Sequence, residues 1–164
     1  MLVSSTGYAA SPSEDMVKSC LQTRAVTTRS IAVEELDTHE FMQEDQYADG
    51  FDAIYIIKYG ASDIGYAENK TGEEALIYAG KIYRLSQAIS SSPGNRGLLP
   101  GGFVPTLADW RIVKNKGQRF LCVSFNFPGL GSSGTFQNVR GEYLLNMKTR
   151  SLYFYIRDIR DLMR

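Results

Sequence analysis

The sequence predicts an α+β fold, mostly antiparallel β, in which an N-terminal helix packs on a curved meander sheet. Three observations predict it. Apolar residues recur at every second position through three successive runs between Trp110 and Asp158. Short polar segments separate those runs. A segment near the N-terminus instead carries its apolar residues at helical spacing.

In the first run Leu121, Val123, Phe125 and Phe127 alternate with Phe120, Cys122, Ser124 and Asn126. Period two sends the two sets to opposite faces of a strand. Val139, Gly141, Tyr143, Leu145 and Met147 form the second set, and Leu152, Phe154 and Ile156 the third. Asn146 to Ser151 is short and polar enough for a hairpin turn, and Lys116-Gly117 serves the same purpose after a shorter lead-in strand, Trp110–Val113. The apolar face of this sheet needs a cover, either a helix or a second sheet. The other face holds Tyr153, Tyr155 and Leu144, so it is not expected to be fully wet.

The helix is expected from Pro12 to about Gln22. Ser11 can cap it, Pro12 suits the first helical position, and Glu14 completes a capping box. Met16, Val17, Cys20 and Leu21 then share one face. Arg24 to about Val33, rich in Val, Thr and Ile, suits a strand. Asp52 to Tyr59 is a near-continuous apolar run that reads as a strand buried on both faces, with Asp63 to Glu68 pairing after the Gly60-Ala61-Ser62 turn. Glu73 to Ile89 suits a helix or a hairpin. Tyr78, Ile82 and Tyr83 favour strands over Ala75–Tyr78 and Ile82–Leu85, around Ala79-Gly80-Lys81. Ser90 to Gly102 is expected to be a loop, and Ile156 to Arg164 to finish the last strand with a short helical turn.

At 164 residues, with 43% hydrophobic and 22% charged residues, the chain has the composition of an ordinary globular protein. Residues 11–164 are expected to form a single α+β domain, and residues 1–10 to be disordered or a residual export signal, since Leu2 to Ala10 resembles the tail of a signal peptide without its charged region. The formal net charge is zero, which argues against nucleic acid as partner, and no apolar run approaches the roughly 20 residues of a membrane helix. From Trp110 onward ten Lys or Arg stand against three Asp or Glu, a bias that hairpin turns and outer faces commonly show.

Cys20 and Cys122 fit no metal spacing. They are either two buried thiols or one disulfide tying the helix to the meander, and the disulfide is favoured because both lie on elements that should pack together. A disulfide would place the chain in the periplasm or outside the cell.

Eight acidic residues, Glu34, Glu35, Asp37, Glu40, Glu44, Asp45, Asp49 and Asp52, occur with no Lys or Arg among them. They suit a solvated loop or short helix, or an acidic surface for a basic partner. The calcium-loop pattern is absent. Gly129 to Gly134 satisfies G-x-G-x-x-G, but a strand-like segment follows where a dinucleotide site needs a helix. His39 is the only histidine and lies in no zinc or nucleophile motif. Paired carboxylates for glycoside hydrolysis, from candidates such as Glu68, Asp63 and Asp109, cannot be matched by sequence. No catalytic residue, metal or cofactor is expected.

Two functions fit. The first is a non-enzymatic exported binding protein, such as an immunity or inhibitor protein that blocks a secreted bacterial toxin. Its partner-binding residues would be Glu34, Glu35, Asp37, Glu40, Glu44, Asp45 and Asp49. The second is a pocket-bearing α+β domain that binds or hydrolyses a small ligand with carboxylates, its pocket lined by aromatics such as Tyr55, Tyr83, Trp110 and Tyr143.

Overall fold

The computed structural model describes residues 11–21, 30–45, 47–90, 100–126, 138–158 and 160. The signal-like N-terminus, the start of the first predicted strand (24–29), most of the Ser90–Gly102 loop, Gly129–Gly134 and the C-terminal turn lie outside them. Among the described residues there are one α-helix and eleven strands in two sheets. The helix is α1, Glu14–Leu21. The first sheet contains β1 (Ile31–Leu36), β7 (Ile89–Ser90), β8 (Asp109–Asn115), β9 (Gln118–Asn126), β10 (Val139–Asn146) and β11 (Leu152–Asp158), in the order β1-β8-β9-β10-β11-β7. The second contains β2 (Met42–Glu44), β3 (Ala53–Tyr59), β4 (Ser62–Glu68), β5 (Glu74–Tyr78) and β6 (Lys81–Arg84), paired in chain order. Every pairing is antiparallel except β7 with β11.

The meander forms as its alternation predicts. Leu121, Val123 and Phe125 share a core with Trp110, Ile112, Tyr143, Leu145 and Phe154, and the inner face of the second sheet covers it with Ile57, Ile64, Tyr66 and Leu76. Phe120, Cys122, Leu144, Tyr153 and Tyr155 point the other way and pack under Met16, Val17 and Cys20 of α1. Each face therefore has its own cover, the second sheet on one and the helix on the other. A third cluster lies on the outer face of the second sheet, where Ile54, Ile56, Ala67, Ala75 and Ile77 pack with Phe51.

The turns follow from local chemistry. Lys116 and Gly117 both have positive φ (47° and 79°), as do Ala79 and Gly80 (50° and 76°), the signature of tight two-residue hairpins whose twist matches the strands. The Ala79-Gly80 turn settles residues 74–84 as a hairpin rather than a helix. At the β10–β11 turn the Asn146 side chain accepts from the amides of Lys148 (2.9 Å) and Thr149 (3.0 Å).

Three expectations are corrected. The lead-in strand β8 is as long as β11, because β1 pairs with it from Trp110 to Asn115 and β9 along its whole length. The helix cap is Ser13 rather than Ser11: its Oγ accepts from the Met16 amide at 3.3 Å, and its carbonyl from Val17 at 3.0 Å. That leaves Glu14 and Asp15 in the first turn, where the helix dipole favours negative charge, instead of in a reciprocal box. Asp52–Tyr59 is not sealed on both sides, since Lys58 reaches solvent and pairs with Asp63.

Candidate functional site

Cys20 and Cys122 form a disulfide with Cα atoms 5.7 Å apart, joining α1 to β9. The Cys20 carbonyl also accepts from Arg111 Nη1 at 2.6 Å. No helix among the described residues is long and apolar enough to cross a membrane.

The acidic residues are spread over the edge strand of each sheet, the turn between them and the β2–β3 connection, and their surroundings divide them into two groups. Glu34, Glu35 and Asp37, on and just after the edge strand of the first sheet, and Asp52, before β3, are already partnered. Glu34 accepts from the Tyr59 hydroxyl at 2.7 Å and lies 3.5 Å from Lys114 Nζ. Glu35 accepts from Arg111 Nε at 3.3 Å. Asp37 caps the 3₁₀ turn Thr38–Glu40, and its carboxylate is held below the usual range by the His39 amide and then by the His39 ring. Asp52 accepts from the Lys70 amide at 2.9 Å. The rest, Glu40, Glu44, Asp45 and Asp49, are exposed and pair with no cation among the described residues. Glu44 lies on β2, the end strand of the second sheet, and all three β2 residues are exposed, Met42 by 54%.

Beside this edge lies a recess between the sheets. The Thr38–Glu40 turn packs on a second 3₁₀ turn, Pro105–Leu107, whose Pro105 carbonyl accepts from the buried Trp110 Nε1 at 2.9 Å. Val104 (56% exposed) and Leu107 (81%) project from that segment. The recess, of about 480 Å³ and lined by His39, Phe41, Gln43, Tyr55 and Leu107, adjoins a cleft of about 540 Å³. Tyr55 and Leu107 line both. The cleft walls add Phe103, Phe125 and Asn126, and its carboxylates are Glu68 and Glu74.

Glu68 and Glu74 lie directly opposite each other on β4 and β5. Such pairs have Cβ atoms about 4.5–5.5 Å apart, and like charges there repel. Burial raises the Glu74 pKa above the usual carboxylate range, the nearby Tyr66 hydroxyl offsets part of that, and the charge of Glu68 adds to it. Neither carboxylate pairs with a cation among the described residues. Gly102 packs so close to Glu74 that a Cβ there would overlap the carboxylate.

Of the hydrolytic candidates the sequence offers, only Glu68 reaches the cleft. Asp63 is on the outer face, bonded to Lys58 and to Tyr47 (2.7 Å), and Asp109 pairs with Arg140 at 3.0 Å. Sequence reasoning misses Glu74, although Glu68 and Glu74 flank the Asn69–Glu73 turn symmetrically and a hairpin register pairs them. Of the predicted pocket aromatics, Tyr55 lines the cleft. Trp110 borders a shallower recess, Tyr143 is buried with its hydroxyl bonded to the Gly101 carbonyl at 2.6 Å, and Tyr83 lies near Arg150. His39 is solvated beside Asp37. Among the described residues no group of three His, Cys, Asp or Glu could hold a metal ion.

A separate polar layer lies on the helix side of the first sheet. Arg140 Nη2 donates to Asp109 and to Ser124 Oγ, each at 3.0 Å. Glu142 is fully buried with neither oxygen hydrogen-bonded. Burial drives its pKa well above the usual range, against the lowering pull of Arg157. No protein-family model, curated protein or solved structure matches the chain.

Proposed function

We propose that this chain is a non-enzymatic binding protein, periplasmic or secreted, that engages a basic protein partner through the acidic edge around β2. An immunity or inhibitor protein that occludes the basic surface of a secreted bacterial toxin is the form of that activity the chemistry fits best. One observation carries the reading. Glu40, Glu44, Asp45 and Asp49 are exposed with no cation of their own chain among the described residues, while the acids beside them are already partnered. Uncompensated like charges beside exposed Met42 and Leu107 are relieved by a cationic surface with an apolar centre. Charge on an end strand also guards against edge-to-edge pairing, but that role needs neither the apolar residues nor the adjoining cleft. The disulfide supports an oxidising compartment.

The test compares the wild-type chain with a variant carrying Glu40→Lys, Glu44→Lys, Asp45→Lys and Asp49→Lys, in capture from the source organism and then in affinity for the captured partner. At about 0.5 kcal/mol per exposed pair, loss of four pairs weakens binding roughly 30-fold. Equal affinity of the two proteins removes this surface from the account.

The second reading, a pocket that binds or hydrolyses a small ligand, is favoured by the Glu68–Glu74 pair in the cleft. Retaining glycosidases place their carboxyls about 5–5.5 Å apart, but flanking the scissile bond. Here both acids sit on one wall, as neighbours in one sheet, which suits binding a cation better than attack from two sides. Turnover of chromogenic glycosides by the wild type, abolished by Glu74→Gln, would reverse that preference.

A further inference from the structure

We propose that the cleft between the sheets is a receptor for an alkylammonium or guanidinium group, and that it takes a lysine or arginine side chain of the basic partner. The source of that side chain rests on the reading above. The cation chemistry of the cleft does not.

The cleft presents negative charge at one wall and rings at the others. Glu68 and Glu74 face each other across β4 and β5 with no cation of this chain between them among the described residues. A single positive group placed there relieves their mutual repulsion and meets two acceptors at once. Tyr66 adds a second, independent sign of a missing partner. It is 1% exposed, its ring lies 5.0 Å from that of Phe103, and its hydroxyl stands near the Glu74 carboxylate without a well-formed hydrogen bond. A buried phenol without a partner costs free energy that an incoming donor or acceptor recovers. Phe103 and Phe125, stacked with centroids 4.7 Å apart, line the cleft together with the half-buried Tyr55, against which a methylene stem can pack.

Other occupants fit less well. Two carboxylates repel an anion. A divalent ion wants more oxygen ligands than the pair supplies, and no third acid joins them among the described residues. The cleft shares Tyr55 and Leu107 with the recess that Gln43 of β2 lines, so a basic surface docked on β2 lies within reach of it.

The test is a titration of the intact, disulfide-bonded chain followed by the NMR shifts of its backbone amides. The probes are N-acetyl-lysine methylamide, N-acetyl-arginine methylamide, the neutral N-acetyl-norleucine methylamide, and putrescine as a free diamine. The two cationic amino-acid probes are expected to shift Tyr55, Gly102, Phe103 and Leu107 saturably. The Glu68→Gln, Glu74→Gln double variant is expected to bind them at least about tenfold more weakly, the loss of a charge-assisted contact. Its amides in the helix-side core should stay in place, and Glu68→Gln alone provides a milder variant with the same direction. The proposal is overturned if the norleucine probe shifts the same amides as strongly, if the lysine and arginine probes leave them unmoved, or if the double variant binds unchanged. Tighter binding of putrescine than of either amino-acid probe would overturn the protein-borne source. A negative titration leaves the edge reading standing, because charge reversal at Glu40, Glu44, Asp45 and Asp49 judges that reading without touching the cleft.

Discussion

Removing the Cys20–Cys122 disulfide should destabilise the chain by a large part of its total stability. The bond closes a loop across a sequence separation of 102 residues. In the chain-entropy model a loop of that length restricts the unfolded ensemble by about 4.7 kcal/mol at room temperature. Domains of ordinary stability have only about 5–15 kcal/mol in all. The bond also fixes α1, a helix of eight residues that would be marginal alone, over Phe120 and Leu144. The assay is urea unfolding followed by the fluorescence of Trp110, the only tryptophan, which is 1% exposed and should report core opening clearly. With a slope of about 2 kcal/mol per molar, the Cys20→Ala, Cys122→Ala variant should unfold at a midpoint roughly 2 M lower than the oxidised wild type. Reduced wild type, which keeps both buried sulfurs, separates loop closure from lost packing. Oxidised, reduced and variant proteins that unfold within roughly 0.5 M of one another would refute the loop-closure reasoning.

Other outcomes follow from the same structure. Burial raises the Glu142 pKa above the ordinary value of 4.5, so its burial costs more stability as pH rises from there. Glu142→Gln should therefore flatten the loss of stability toward alkaline pH and match or exceed the wild type in urea midpoint there; a variant less stable at every pH would show that the carboxylate is ionised and paired. The Glu74 carboxyl is raised above its usual range, so binding of the lysine probe should weaken as pH falls toward the ordinary carboxylate range, and pH-independent binding would remove Glu74 from the contact. Leu107 is 81% exposed, so Leu107→Asp should change stability by less than about 0.5 kcal/mol while weakening partner capture. Unchanged capture would exclude the Pro105–Leu107 turn from the interface.

What can be read from the sequence divides along physical lines. β9, β10 and β11 are legible because side chains alternate faces whatever packs on them, so Leu121, Val123 and Phe125 announce a strand before any partner is known. The two-sided cover is not, because Phe120 and Cys122 look like the weaker face until α1 is placed over them. The first strand runs further downstream than its composition suggests: its Val, Thr and Ile content ends near Val33, while pairing with β8 carries the described part through Leu36 and tolerates Glu34 and Glu35 on an edge. Net acidity of the 34–52 segment is plain, but which of its carboxylates remain available depends on Lys114, Arg111 and Tyr59, all distant in sequence. The cleft pair needs the β4–β5 register, since only there does Glu68 meet Glu74.

The most direct measurement is hydrogen–deuterium exchange of the chain alone and in complex with its purified partner. Binding through the acidic edge and cleft predicts new protection of Met42–Glu44 and of residues 102–107, with the far edges β6 and β7 exchanging as before. Protection confined to β6 and β7, with β2 and the cleft segment unaltered, would contradict the account.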